Sequence, residues 1–342
     1  MNDISYDTII VGMGASGCTA ASTLAKAGKK VLALEAMDRI GGRVNTVPFG
    51  DGVVELGMLE GRAIVVDQYV FPQNTYNNGP GHPTLDIKLN KEVTLITWPQ
   101  DPAQDVLVTC KDGASYRAKN VIVTMSLGVL KERHNTLFSP SLPQEKVTSI
   151  EKLSIGVVGK VVLLFEKAFW NRTIWYPFLW KKASVAKEDR WTTKIFGAST
   201  PMGSLCSLTL WTSGDGAKLV ETLPEDVVKR KVMELIRRFM GKNRTIPEPI
   251  AMLRSSWYSN PYTRGSYTFD NVLTPQYPHA RATLGEPLLD SSGAPRVLFA
   301  GEATDSTHFS TVHGATDTGF REASRLLPQS KFTKNILDPV KN

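Results

Sequence analysis

Cysteine is scarce in this 342-residue chain: Cys18, Cys110 and Cys206 are odd in number, far apart and outside any metal-ligand spacing. A disulfide framework is therefore not expected, and Cys18, inside a helical pattern, reads as a small packed residue. Apolar runs of membrane-spanning length are missing as well. The opening Met1-Asn-Asp-Ile-Ser-Tyr-Asp7 lacks the basic and apolar parts of a secretory signal. The closing Pro339-Val-Lys-Asn342 is not a peroxisomal tripeptide of the Ser-Lys-Leu type. These absences predict a cytoplasmic protein without membrane contact. There is no internal repeat, low-complexity stretch, zinc finger, RNA-binding signature or basic-aromatic stripe. A net charge of +7 is thus not a nucleic-acid signal. The densest basic group, Lys229 to Lys242, accompanies apolar Val228, Val232, Leu235, Ile236 and Phe239 at helical spacing, which predicts a solvated helix face. Neither a Ser-His-Asp arrangement nor a metal constellation surrounds His308 or His313, and no metal is expected.

What is present begins with length and apolar content: 342 residues at 42% hydrophobic can bury a sizeable core, and two domains are expected. An apolar strand, Asp7-Thr-Ile-Ile-Val11, runs into Gly12-Met-Gly14-Ala15-Ser16-Gly17 and a helix. Gly12 permits a tight turn, Gly14 lets backbone N–H groups approach a pyrophosphate, and Gly17 lets helix and strand pack closely. Ala15 and Ser16 open the helix, whose positive end faces the phosphates. Glu35 ends the next strand, about twenty residues on, where a carboxylate accepts from ribose hydroxyls. Gly41-Gly42-Arg43 follows. Two glycines let the chain pass the pyrophosphate a second time, and the Arg43 guanidinium matches its oxygens in a fixed fork. Nicotinamide enzymes rarely carry this extension, so FAD is the expected dinucleotide.

The first βαβ unit ends near Thr46, and residues 47–56 alternate as a hairpin around Gly50-Asp51-Gly52. Residues 58–84 read as an irregular loop of a length uncommon inside a compact domain. A strand meander follows at 93–97, 106–110, 116–118 and 121–124, the last strand ending at 126–130 beside the nucleotide. Residues 134–293 mix strands, the basic helix and Pro/Gly turns. A final buried strand at 296–300 enters Gly301-Glu302, with a helix over about 312–327. The predicted fold is α/β. A doubly wound, Rossmann-like FAD-binding domain is assembled from 1–57, 85–133 and 294–328, a mixed-sheet α+β substrate domain is inserted at 134–293, and 329–342 form a tail.

The two ends of the chain together carry a resemblance. Gly12 to Arg43, Val297-Leu-Phe-Ala-Gly-Glu-Ala-Thr304 and Ser310-Thr-Val-His-Gly-Ala315 are similar to segments of the FAD-dependent amine oxidases, particularly animal polyamine and spermine oxidases. Leu89-Asn-Lys-Glu-Val93, Ile122-Val-Thr-Met-Ser-Leu-Gly-Val-Leu-Lys131 and Trp257-Tyr-Ser-Asn-Pro-Tyr-Thr-Arg-Gly-Ser-Tyr267 resemble the same family, so the likeness spans most of the chain. It implies that Glu302 accepts from the ribityl hydroxyls, that Val93 holds the adenine through its backbone, and that Thr311 and Val312 lie at the isoalloxazine. A helix starting there would stabilise negative charge on reduced flavin. Lys160 stands in the apolar run Gly156-Val-Val-Gly-Lys-Val-Val-Leu-Leu-Phe165, where burial favours the neutral amine unless the side chain snorkels to solvent. The resemblance implies that it holds a water beside flavin N5. Trp257 and Tyr267 match the family's flavin-stacking tryptophan and the aromatic flanking the substrate amine, a pairing suited to amines. Thr311, aromatic in monoamine oxidases, implies long polyamines.

The implied reaction is oxidation of a secondary amine C–N bond in spermine, spermidine or their N-acetyl forms with O2, giving an aldehyde, an amine and H2O2. The implied partners are the polyamine and O2, on a monomer or weak homo-oligomer. The chain departs from the family after Glu55-Leu-Gly57, where Met58-Leu-Glu-Gly61 replaces a substrate-contacting His segment and the helical wall beyond it. Roughly a third of the usual length is missing. Glu60 or Asp305 would then have to supply acidic contacts to a polycation. A truncated, non-catalytic isoform that binds FAD or a full-length partner is the alternative expectation.

Overall fold

The computed structural model describes residues 5–57, 85–171, 175–180, 185–242 and 244–328. The expected remnant at 58–84, with Glu60, and the tail at 329–342 lie outside the described residues.

Along the chain come β1 (Ser5–Val11), β2 (Val31–Leu34), β3 (Thr46–Phe49), β4 (Gly52–Glu55), β5 (Leu85–Lys88), β6 (Val93–Thr97), β7 (Val106–Cys110), β8 (Ser115–Val123) and β9 (Phe138–Ser139). After them stand β10 (Ser154–Ile155), β11 (Val158–Leu164), β12 (Tyr176–Pro177), β13 (Ile195–Ser199), β14 (Ser207–Ser213), β15 (Ala251–Arg254), β16 (Thr268–Phe269), β17 (Leu288–Leu289) and β18 (Pro295–Phe299). The larger sheet has a parallel heart in which β5, β2, β1, β8 and β18 are successive neighbours. Alternation along these strands sends Ile9, Val11, Leu32, Leu34 and Val123 to one buried face and Ile10, Val31, Ala33 and Ile122 to the other. Both faces are therefore apolar, and both are covered. The helices Ala15–Lys26 and Val312–Arg325 pack together on the second face. Phe138, Leu142, Ile150, Ala280 and Leu284 join the first core, so residues of the expected 134–293 segment extend the core of the nucleotide sheet.

β8 is one strand where two were expected. Its first half pairs with β7 and its second with β18, while β1 accompanies it throughout. The polar Lys119 and Asn120 mark the handover between neighbours rather than a turn, and Asn120 Oδ1 accepts from Thr8 Oγ1 at 2.7 Å. Beyond it, Ser126 ends no strand. Its Oγ accepts from Val129 N at 3.3 Å as the N-cap of the helix Leu127–Leu137.

The second sheet runs β12-β13-β14-β11-β15, and its described pairs are all antiparallel rather than mixed. The helix Glu225–Met240 lays Val228, Val232, Met233, Leu235 and Ile236 against it and keeps its basic side chains outward, as the spacing predicts. The hairpin of β3 and β4 turns at Gly50 and Asp51 and packs Phe49 and Val54 on Val162 and Leu164. No helix among the described residues is long and apolar enough to cross a membrane.

Candidate functional site: a paired cleft across the parallel sheet

Two adjoining clefts, with open volumes of about 700 and 730 Å³, lie at the C-terminal ends of the parallel strands. Such a place in an open α/β sheet is where ligands bind. Gly14, Arg43 and Thr124 line both, so the clefts meet at the glycine-rich turn.

The turn explains its own residues. Gly12 has φ +96°, and a Cβ on Gly17 would stand 1.9 Å from Gly12 O, so β1 and the first helix approach as closely as backbone allows. Gly14 is the helix N-cap without a side-chain cap, which leaves the first N–H groups of that helix without intrahelical acceptors. Ser16 Oγ is buried and has no hydrogen-bond partner. Open donors plus one orphaned hydroxyl, at the positive end of a helix, fit a phosphate. The second glycine pair is sewn beside them: Gly41 N donates to Met13 O at 2.7 Å, and Arg39 Nη2 donates to Gly42 O at 2.8 Å. Arg39 went unnoticed in the sequence because it stands outside the Gly41-Gly42-Arg43 run.

Gly12, Glu35, Gly42 and Val93 line one cleft, with Lys91, Glu92, Arg133 and Tyr262. Glu35 is 5% exposed and accepts from Met13 N at 2.7 Å and Met37 N at 2.9 Å. Burial nonetheless raises its carboxyl above the ordinary range. Glu92 accepts from Arg133 at 2.7 Å and from the Tyr262 hydroxyl at 3.0 Å, tying the 257–267 segment to the rim. Burial works to raise the Glu92 carboxyl, but Arg133, Lys111 and Tyr262 outweigh it and hold it low.

The other cleft takes Ala15, Ser16, Gly41, Trp257, Tyr267, Gly301, Glu302, Thr311 and Val312, together with Ser266, Ser310 and Gly57. Glu302 is 5% exposed; one oxygen pairs with Arg43 at 3.1 Å, and the other accepts from Thr268 Oγ1 at 2.7 Å and Ser310 N at 2.9 Å. Burial pushes its carboxyl up, yet Arg43, Thr268 and Ser310 together bring it below its ordinary value. Thr311 caps the Val312–Arg325 helix, accepting from Gly314 N at 3.0 Å, so a helix N-terminus borders this cleft. Trp257 is buried, with Nε1 donating to Leu56 O at 3.0 Å, while Tyr267 is 37% exposed at the mouth and burial raises its phenol.

Two expected residues stand outside the lining. Gly17 acts through packing. Lys160 is 1% exposed, so it does not snorkel; its Nζ donates to Glu55 O at 2.6 Å and lies 4.5 Å from the Trp211 ring centre. His308 and His313 are exposed and line neither cleft. Thr124 was missed, and only the register of β8 on β1 brings it to the turn, where its Oγ1 donates to Gly12 O at 2.9 Å.

Residues 72–327 match the family described as flavin containing amine oxidoreductase, and residues 10–59 match the NAD(P)-binding Rossmann-like domain. The chain is 39% identical over 242 residues to a peroxisomal N(1)-acetyl-spermine/spermidine oxidase of Bos taurus, covering 66% of this chain and 47% of that protein. The Homo sapiens protein of the same name is 38% identical over 233 residues, covering 65% of this chain and 45% of its own. A histone demethylase-like protein A of Aspergillus fumigatus is 33% identical over 75% of this chain and 23% of its own. The chain thus spans about half the length of the two oxidases. Among solved structures, wild-type putrescine oxidase bound to putrescine superposes with a TM-score of 0.64 at 17% identity, over 94% of this chain and 98% of that one, a likeness of fold.

Proposed function

This chain belongs to the flavin-containing amine oxidoreductases, with FAD as its cofactor, and from that premise we propose that it is a polyamine oxidase acting on a secondary amine. The observation that carries the proposal is the paired cleft, which gathers the glycine turns, Glu35, Arg43, Glu302, Trp257, Tyr267 and the Thr311 helix start along one path.

FAD supplies a hydride acceptor for the carbon beside the amine nitrogen, the resulting imine hydrolyses to an aldehyde and an amine, and O2 takes up the electrons as H2O2. The protein's part is placement. The open N–H groups at Ala15 and Ser16, with Ser16 Oγ, hold the pyrophosphate, and Glu35 takes the adenosine ribose. Arg43 and Glu302 hold each other, which leaves the guanidinium edge for phosphate and the carboxylate edge for ribityl hydroxyls. Trp257 and Tyr267 flank the amine, and the Val312–Arg325 helix directs its positive end at the flavin. Lys160, fixed on Glu55 O beside the Leu56 that anchors Trp257, positions this wall and holds a water for proton transfer.

Among the described residues lining the flavin-end cleft, Glu302 is the one carboxylate, and Arg43 pairs with it. A substrate with fewer charges beside the reacting nitrogen suits such a wall, so N-acetylspermine is expected to outrun spermine. A second reading, an isoform that binds FAD without turnover, is favoured by the chain spanning about half its relatives. The histone demethylase-like relative makes a methylated lysine peptide the third substrate to try.

The test is purification with FAD followed by a peroxide assay on N-acetylspermine, spermine and a methyl-lysine peptide. A yellow protein releasing peroxide with N-acetylspermine is the expected result. A yellow but silent protein selects the second reading, and a colourless one that takes up no FAD overturns both. Imaging of a tagged chain separates the cytoplasmic location expected from the sequence from the peroxisomal one in the relatives' names.

A further inference from the structure

The loop after β18 and the helix it enters bring together residues that the sequence holds apart. Asp305, His308 and Asp317 each offer one ligand atom, and these atoms all lie within 4.8 Å of one another. His313 stands one helical turn before Asp317, and its ring lies 4.8 Å from that of His308, centre to centre. Two carboxylates and two imidazoles thus share one patch outside both clefts, with Asp305 half-buried and His308, His313 and Asp317 exposed.

The patch is held in shape by contacts that leave ligand atoms available. Asp305 Oδ1 accepts from His308 N at 2.7 Å and Thr307 N at 2.8 Å, which fixes the carboxylate on its own loop. Thr307 Oγ1 lies 3.3 Å from His308 Nδ1, an outer contact of the kind that orients a ligating imidazole. A Cβ on Gly314 would meet His308 O at 2.1 Å, so the absence of a side chain there lets the loop lie directly on the helix. Among the described residues, neither Asp305 nor Asp317 pairs with a lysine or arginine, although the chain carries a net charge of +7. Negative charge here is therefore left for another cation.

We propose that Asp305, His308 and Asp317 bind a divalent first-row transition metal, with His313 beside them as a fourth ligand and second nitrogen donor. Mixed imidazole and carboxylate donors select zinc, nickel or copper over calcium and magnesium, which prefer oxygen alone. The spacing of three residues on a loop and a further nine into a helix matches no sequence signature, which is why no metal was expected. A metal here clamps the 305–311 loop onto the Val312–Arg325 helix. That loop carries Ser310, whose N–H holds Glu302, and Thr311, which lines the flavin-end cleft. Binding stiffens this wall, and the metal site itself does not depend on the flavin reading.

The test is calorimetric titration of the full, chelator-treated chain with Zn2+, with the visible spectrum of Co2+ as a second readout. One equivalent is expected to bind, with D317N and H308Q each weakening it at least about tenfold, D305N likewise, and H313A less. Asp317 lies on an exposed helix face, so D317N retains the fold and circular dichroism verifies it. Failure of Zn2+ to bind at millimolar concentration overturns the proposal. Binding with unchanged affinity and stoichiometry in D317N and H308Q does so too, because it assigns the metal to other histidines.

Discussion

A single methyl group decides the glycine turn. A Cβ on Gly17 falls 1.9 Å from Gly12 O and 3.0 Å from Thr124 Oγ1, so neither backbone nor neighbour can give way cheaply. Gly17→Ala is expected to lower stability by about 1–3 kcal/mol in urea melts and to weaken FAD retention, since it displaces the helix end facing the phosphates. Glu302 poses the opposite problem, a charge that its partners make tolerable. With its folded pKa below the ordinary 4.5, the unfolded chain takes up the proton first. The stability it contributes is complete above pH about 4.5 and is lost as pH falls through the lowered folded value. Glu302→Gln keeps the shape and the Thr268 contact but takes the carboxylate from Arg43, whose side chain is one-quarter exposed and keeps only Ser266 O, at 2.8 Å, of its two described partners. A cost of about 2 kcal/mol at neutral pH, with a shallower acid limb in pH-dependent melts, is expected.

Elements are joined by one buried cation. Lys146, on the helix Gln144–Lys152, donates to Thr283 O at 2.8 Å, Leu284 O at 2.9 Å and Glu286 O at 2.7 Å, closing the C-terminal end of the helix Ala280–Gly285. Burial pushes its pKa from 10.5 down to about 7. Between those values the unfolded chain binds the proton that the folded chain has released, so stability rises with pH from about 7 towards 10.5. Lys146→Met leaves three carbonyls unmatched and is expected to cost about 1–3 kcal/mol at pH 7 while flattening that rise. Nothing in the sequence announced this pairing, because its partners are backbone atoms about 140 residues away. Legibility at this scale followed periodicity. The amphipathic Glu225–Met240 helix and the Gly50-Asp51 hairpin were readable, each setting its own pattern locally. β8 was not, because its change of neighbour from β7 to β18 places polar residues inside one continuous strand. Phe138 and Leu284, inside the expected 134–293 segment, join the core of the nucleotide sheet, and they look like any buried apolar residues until their neighbours are known.

At the scale of the molecule, the cleft is the place where distant segments converge. Its walls come from the first glycine turn, the end of β8, the 257–267 segment and the 301–315 stretch, which are separated by most of the chain. The glycine runs and Gly301-Glu302 were visible beforehand because each needs its residue types for local backbone reasons. Ser266 and Tyr262 became site residues only when tertiary contacts such as Arg43 to Ser266 O at 2.8 Å and Tyr262 to Glu92 brought them in. A ligand spanning both clefts touches all these segments at once and binds the folded state alone. Saturation at about a hundred times Kd is therefore expected to add about 2.7 kcal/mol of stability, read as a rise in Tm that grows with FAD concentration. AMP reaches one cleft only and is expected to give a smaller rise at the same concentration, because it leaves the Glu302 and Thr311 wall unbridged. Equal shifts for AMP and FAD would mean that the flavin end contributes nothing to holding the cofactor. The oxidase proposal would then lose its footing, since placement of the flavin between Trp257 and the Thr311 helix is what it requires.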